Sequence, residues 1–344
     1  MKLVYIIATL ILFVSCGTNP KWRHFAGEGL PEQDESYEDL YFVDEQTGYI
    51  GGSHLILFDS KSINKINFHT SAVLYKTLDQ GKNWKQIPLP FLGSVEKIIS
   101  FHDTLLLKIT TDHDTTLLVR SNNNGKDWRK LLTLTKYAGI VEMEFESNTN
   151  GRLLMTDGQK EYLIMYHNNR FDTVQIFQGN SPRTFLRDYV ISLINIPSTA
   201  HYSGYFLTDI KTGSIKEIKF DKNYLISSHY KYKNSLYLAA SINNVGYILK
   251  LGESGYEKID FGDFSKYIPD KIFVYGDTIM VIGFRQDEVG PIGTIFSFFI
   301  SGDGGKTWDK EDLPSPMCIE APTIYEDKFF ISAACPPGDF QLRQ

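Results

Sequence analysis

Residues 300–314 read Ile-Ser-Gly-Asp-Gly-Gly-Lys-Thr-Trp-Asp-Lys-Glu-Asp-Leu-Pro, and their core is the frame Ser301-x-Asp303-x-Gly305-x-Thr307-Trp308. The same frame stands at Thr77-x-Asp79-x-Gly81-x-Asn83-Trp84 and at Ser121-x-Asn123-x-Gly125-x-Asp127-Trp128. Its residue types are those of a tight turn between strands. Gly adopts positive φ at the least steric cost. A short oxygen-bearing side chain before it accepts the turn's own N–H groups, and a hydroxyl two residues earlier adds a second bond. The Trp on the returning strand brings a large apolar surface to pack between neighbouring sheets. Turn chemistry explains the repeated Asp without assigning it to catalysis or to a metal.

Degenerate versions of the turn are expected at His167-Asn168-Asn169-Arg170, Lys211-Thr212-Gly213-Ser214 and Glu253-Ser254-Gly255-Tyr256. The third turn position then falls at residues 81, 125, 169, 213, 255 and 305, at intervals of 44, 44, 44, 42 and 50 residues. A period of about 40–50 residues is that of propeller blades. The three full frames resemble the Asp-box of bacterial neuraminidase (BNR) repeats. In the first unit, Phe42-x-Asp44-x-x-x-Gly48-Tyr49-x-x-Gly52 is similar to the repeat of the photosystem II stability/assembly factor family, and Phe145-x-Ser147-x-x-x-Gly151 repeats it in part. The expected fold is therefore all-β: a seven-bladed β-propeller with four-stranded antiparallel blades over residues 39–344, with six blades as the alternative. Residues 319–344 together with about 21–27 are expected to form a composite closing blade. A hydrophobic fraction of 42% supplies its core.

Residues 1–15 read as a lipoprotein signal peptide. Lys2 precedes the apolar run Leu3–Val14, which is too short to span a bilayer. Phe13-Val14-Ser15-Cys16-Gly17 resembles a bacterial lipobox with Phe in place of the usual Leu. This implies lipidation of Cys16, palmitate among the acyl chains, and attachment to a membrane without a transmembrane helix. Residues 16–38 form the lipidated tether. The segment after Cys16 begins Gly17-Thr18-Asn19-Pro20-Lys21 and has no acidic run. The expected location is the cell envelope: the periplasmic face of the outer membrane is favoured, with the cell surface as the alternative. The remaining cysteines, Cys318 and Cys335, each stand eight residues from a turn at Glu326-Asp327. A regular hairpin centred there faces them across the strands, within reach of a disulfide, and an exported protein meets an oxidising compartment.

A formal net charge of −6 gives no basic excess for nucleic acid. The expected catalytic, metal and cofactor residues are none. Asp112-His113-Asp114 reads as a solvated turn, and the scattered arginines do not match the three-arginine grip of sialidases. In a propeller the box turns occupy one face and the connections between second and third strands the other. The longest of the latter are expected at Ser53–Thr70 and Arg285–Gly293, then Asn195–Gly204. They make Lys61, Lys65, His69, Arg285, Asp287 and Glu288 the candidate binding face. The expected function is a membrane-anchored binding or assembly module for a protein partner. The alternatives are a carbohydrate-active, sialidase-like exported enzyme, for which a glycan is the ligand, and an envelope immunity or inhibitor lipoprotein.

Overall fold

A computed structural model describes residues 22–26, 30, 35–58, 67–111, 113–135, 137–178, 181–290, 293–312, 319–325, 328–333 and 339–343. Almost every ordered segment is a strand, and each sheet is an antiparallel meander. The first contains β2 (Glu35–Phe42), β3 (Gly48–Phe58), β4 (Asn67–Thr77) and β5 (Lys85–Gln86). The second contains β6 (Ser94–Phe101), β7 (Thr104–Thr110), β8 (Thr116–Ser121) and β9 (Arg129–Leu134). The third contains β10 (Gly139–Phe145), β11 (Asn150–Thr156), β12 (Lys160–His167) and β13 (Arg170–Gln178). A seven-stranded sheet follows: β14 (Arg183–Leu186), β15 (Tyr189–Asn195), β16 (His201–Asp209), β17 (Ile215–Tyr232), β18 (Ser235–Ile242), β19 (Val245–Leu251) and β20 (Tyr256–Asp260). Then come β21 (Ile268–Tyr275), β22 (Thr278–Gly290), β23 (Gly293–Ser301) and β24 (Asp309–Asp312). In the last sheet β25 (Ile319–Tyr325), β26 (Lys328–Ala333) and β27 (Asp339–Arg343) are joined by β1 (Trp22–Ala26), which pairs with β27 from the opposite end of the chain.

The seven-stranded sheet is two four-stranded units sharing one long strand. The first half of β17 pairs with β16 from Thr208↔Ile215 to Gly204↔Lys219 and again at Tyr202↔Tyr224 and His201↔Leu225, and residues from Leu225 onward pair with β18. Residues 220–223 interrupt the register between the halves. The core lies between neighbouring sheets. Leu74, Val95, Ile98 and Leu107 pack the first sheet on the second; Leu154, Leu163, Phe185 and Val190 pack the third on the next; Ile248, Ile259, Val274 and Phe299 join the fifth unit to β21–β24. Strands clad on both faces lose the usual alternation, and all six residues of β8 are buried. First strands lie against first strands, and β2 has β6 on one side and β25 on the other.

Each full box closes in the same way. The hydroxyls of Thr77, Ser121 and Ser301 accept the N–H of Gly81, Gly125 and Gly305 at 2.9, 2.8 and 2.7 Å. The same hydroxyls donate to Asp79, Asn123 and Asp303, whose side-chain oxygens accept the backbone N–H of Asn83, Asp127 and Thr307. Hydrogen bonds from the Thr307 N–H, the Thr307 hydroxyl and the Ser301 hydroxyl hold the Asp303 carboxyl far below its ordinary range. Burial pushes Asp79 up, but the bonds from Asn83 and Thr77 prevail and hold it down. The residue before each Gly is also left-handed, at Gln80, Asn124 and Gly304. Its N–H bonds the first hairpin turn of its own sheet, at the carbonyls of Gln46, Asp103 and Asp277. Asn168 does the same to Thr149, so the degenerate turn of the third sheet keeps the device.

Of the expected third turn positions, Gly81, Gly125, Asn169, Gly213 and Gly305 have positive φ, whereas Gly255 does not. There the Gly252 N–H donates to the Gly255 carbonyl at 2.8 Å, and the Tyr205 hydroxyl braces the turn by donating to the carbonyls of Gly252 and Gly255. The assembly-factor-like frame also has a physical basis. Asp44 accepts the N–H of Gln46 and Thr47, and Gly48 lies under the Phe42 ring, 2.8 Å from where its Cβ would stand. Ser147 and Gly151 under Phe145 repeat this in the third sheet.

One expectation is not met in the closing hairpin. Tyr325↔Lys328 and Thr323↔Phe330 pair in the expected register, but a shift follows and Ile319 pairs with Ala333. Ile319 is seven residues before Glu326, whereas Ala333 is six after Asp327. The regular register behind the Cys318–Cys335 expectation is thus lost before that end of the hairpin, because one strand carries a bulge; both cysteines lie outside the described residues. Similar bulges recur in first strands, at Tyr37/Asp39, Val95/Lys97, Ile140/Glu142, Ile226/Ser228 and Pro269/Lys271. Two of them aim a carboxylate at the next sheet: Asp39 accepts the N–H of Ile98 at 2.7 Å, and Glu142 accepts the N–H of Phe185 at 3.1 Å.

The packing ranks substitutions. A Cβ at Gly125 or Gly305 would stand 2.4 Å from Ile87 or 2.3 Å from Ile259, each on the preceding sheet and each at positive φ. Gly213 is left-handed with nothing within 4 Å. Gly125→Ala should therefore lower stability by roughly 2–4 kcal/mol and Gly213→Ala by about 1. Trp84 is buried and Trp128 half-buried, so Trp84→Ala should have the larger effect, on the order of 3–5 kcal/mol. Denaturant titration checks both orders.

Candidate functional site

A cavity of about 690 Å³ is lined by the first strands β2, β6, β10 and β17, by β11 and β12, and by the turns of the fourth unit. It opens at the end that carries the box turns, since Asn150, His167, Asp188 and Lys211 contribute to its rim. Tyr41, Phe101, Phe145 and Tyr166 form aromatic walls. Phe145 and Tyr166 pack at 5.4 Å between centroids, and the Tyr166 hydroxyl accepts from Arg120 Nη1 at 3.1 Å.

Glu144 is the polar centre. Its Oε2 accepts from Arg152 Nε at 2.9 Å and Nη2 at 2.6 Å, and its Oε1 meets Lys231 Nζ. Arg152 also donates to the Arg187 carbonyl, and its guanidinium covers the Phe185 ring at 4.4 Å. Lys231 is on β17, two units beyond β10. The ion pair therefore passes over the unit whose first strand, β14, has four residues against seven or eight in β6, β10 and β21. The carboxylate is thus neutralised by two cations from different sheets, and the cavity presents aromatic surface around a satisfied charge cluster. That arrangement suits recognition. Nothing in the sequence signalled it, because the three residues share no local spacing.

Glu142, behind this cluster on the same strand, behaves differently. Burial pushes its carboxyl from 4.5 up to about 7, with the Thr184 hydroxyl at 2.9 Å opposing and the Glu144 charge adding. Above the ordinary value the folded protein holds this proton more tightly than the unfolded chain. The stability it contributes is full below about pH 4.5 and is lost as pH rises through about 7. Glu142→Gln should flatten this limb and gain on the order of 1–3 kcal/mol at pH 8 relative to its effect at pH 4. Melting curves of both proteins from pH 4 to pH 8 check this.

The expected binding face is arranged differently from the loops inferred for it. Its two long connections grow from hairpins: β3 and β4 stay paired to Phe58↔Asn67, whereas the β22–β23 ladder shifts register after Phe284↔Phe296 and resumes at Val289↔Thr294 and Gly290↔Gly293, so that residues 285–288 stand outside the regular ladder. The apolar, strand-forming run Leu55–Phe58 carries the first ladder beyond Ser53. His69 is half-buried on β4 and lines a separate cavity of about 320 Å³ with Phe91 and Leu117. Arg285 lies over the Tyr267 ring at 5.6 Å. Asp287 and Glu288 are within β22, their side chains outside the description, and Lys61 and Lys65 lie outside the described residues. His113 and Asp114 form an exposed turn, with Asp114 at φ 52°, and Asp112 lies outside the described residues. Arg152, Arg183 and Arg187 each have their own carboxylate partner, in Glu144, Glu161 and Glu253. Among the described residues no group of three or more His, Cys, Asp or Glu side chains could hold a metal ion.

No family model and no curated protein matches this sequence. Solved structures do resemble it. YCF48 bound to D1 peptide superposes with a TM-score of 0.65 at 12% identity, over 95% of this chain and 98% of that one. Virginiamycin B lyase from Staphylococcus aureus gives 0.61 at 11% identity, over 94% and 99%. The β-propeller domain of the Trilobed protease from Pyrococcus furiosus gives 0.59 at 10%, over 91% and 96%. At these identities the likeness is one of fold, and the fold is that of a β-propeller. A peptide complex, a lyase and a protease domain on one scaffold leave function to the site.

Proposed function

We propose that this chain is a lipid-anchored, exported propeller of seven blades that binds a peptide segment of a protein partner at the cavity around Glu144. The blade count follows from dividing β17 at residues 220–223, which gives six meanders of four strands, and from β25, β26 and β27 completed by β1. The three full box turns are its BNR-type repeats. The observation that carries the binding reading is the cavity itself: aromatic walls around an acid already matched by Arg152 and Lys231. Such a floor holds a partner by shape and by exchange of charge-assisted hydrogen bonds. The peptide-bound YCF48 structure, on the same fold, supports it. Anchoring rests on Lys2, the apolar run and Cys16, and the periplasmic face of the outer membrane on the lack of an acidic run after Cys16. No described helix is long and apolar enough to cross a membrane.

Two experiments test this reading. Affinity purification of the tagged chain from its native membrane should recover a stoichiometric protein. Lys211→Glu with Met165→Glu, both at the cavity and Met165 exposed, should abolish recovery without changing the melting curve. Retention of the partner by that variant overturns the cavity assignment, and turnover of a glycan by the purified chain favours an enzyme. Cys16→Ala should leave the membrane in a carbonate wash; if it stays bound, the anchor is not the lipid.

A further inference from the structure

A second surface lies outside the cavity, in the cleft between the first and second box turns. It encloses about 660 Å³. Its floor is apolar: Leu78, Trp84, Ile87 and Pro88. Its rim carries Lys76, Lys85 and Lys126. Leu78 is 65% exposed, and the turn does not require it. At the same position the second and third full boxes carry Asn122 and Gly302, and they close with the same hydrogen bonds. The leucine is therefore free to serve contacts beyond the turn, and with Trp84, Ile87 and Pro88 it makes one contiguous apolar lining. The outer strand β5 stops after two residues, and Pro88 and Pro90 follow, so the blade edge is cut short beside the cleft.

The charge of the cleft is opposite to that of the chain, whose formal net charge is −6. Among the described residues none of the three lysines is in a salt bridge. Lys76 lies over the Tyr49 ring at 5.3 Å. Among the described lining residues the acid is Asp79, engaged by Thr77 and Asn83, and three lysines outnumber it; Asp44 interacts electrostatically with Lys76 from outside the lining and accepts the N–H groups of Gln46 and Thr47.

We propose that this cleft docks an extended acidic segment of a protein partner, with an apolar side chain against Leu78 and Pro88 and carboxylates on Lys76, Lys85 and Lys126. The proposal rests on the reading of the chain as a protein-binding module, but uses a surface separate from the cavity around Glu144. Charge complementarity selects this occupant, and the apolar floor distinguishes it from a diffuse counterion site.

The test is fluorescence anisotropy on the full chain with a labelled Glu-Leu-Glu-Trp-Glu-Leu-Glu peptide, its lysine-for-glutamate twin as control, and vesicles of anionic phospholipid as competitor. Saturable binding of the acidic peptide is expected, weakening as salt is raised. Leu78→Asn, which installs the residue of the second box, and Lys85→Ala with Lys126→Ala should each weaken it at least tenfold with unchanged melting curves. Lys211→Glu, at the other cavity, should leave it unchanged, so failure here and failure of the cavity reading are told apart. The proposal is overturned by no saturable binding, by equal binding of the twin, by variants that bind as the parent does, or by displacement by vesicles with loss of vesicle binding in the same variants, which assigns the cleft to a lipid surface.

Discussion

The contact on which this architecture depends is a glycine backbone pressed against an isoleucine of the preceding sheet. Gly125 meets Ile87 and Gly305 meets Ile259 at distances where no Cβ fits. That closeness lets the box turn wedge into the seam between sheets and fixes their separation at one end. The positive φ and the missing side chain are two demands on one residue, and only Gly meets both. The buried hydroxyl two positions before the Asp holds the glycine N–H in place. The Trp then covers the seam: Trp84 Nε1 donates to the Gly81 carbonyl at 2.8 Å, and Trp308 reaches both the Gly305 carbonyl and that of Asp260 on the sheet before it. Turn closure and sheet-to-sheet contact are thus one interaction.

Bulges in the first strands give the sheets a second set of connections. A bulge turns one residue out of the pleat, and at Asp39 and Glu142 the freed geometry aims a carboxylate at a backbone N–H of the next first strand. Asp39 also has Lys97 at 3.2 Å. Among the described residues Glu142 has no ion pair, and Lys231, which acts on it electrostatically, is bonded with Arg152 to Glu144. This explains why burial dominates Glu142. Two acids on one strand, two residues apart, divide the roles: one carries the ion pairs and the other shifts toward neutrality.

The turns were legible in the sequence because they are local. Gly81, Gly125, Gly213 and Gly305 stand where a positive φ is needed, and Asn168-Asn169 fill a two-residue turn with the other residue type that tolerates it. Hairpins such as β18–β19 over Asn243-Asn244 follow from the same chemistry. What was not legible is set by neighbours. Gly255 fits the period, but its turn is braced by Tyr205 from another strand. The ladder past Ser53 continues to Phe58↔Asn67 because a partner strand is present, whereas past Phe284 the register shifts and pairing resumes only at Val289. The cavity is the furthest from sequence reasoning: Glu144 and Lys231 are 87 residues apart and meet only in the fold.

The repeat also separates what the fold constrains from what it leaves free. Within the frame, the hydroxyl, the Asp or Asn, the Gly and the Trp recur because each is used by the turn or the seam. The first and third intervening positions are exposed, and at the first of them Leu78, Asn122 and Gly302 differ in size and polarity without altering the turn's bonds. Free positions on a rigid frame are where a propeller can acquire a binding surface at little cost in stability. Between the first two boxes they carry a leucine and lysines, whereas the third box offers a glycine at the position of the leucine. Identical turns therefore present different chemistry around the ring, and any specificity of this chain is written in the residues that the fold does not need.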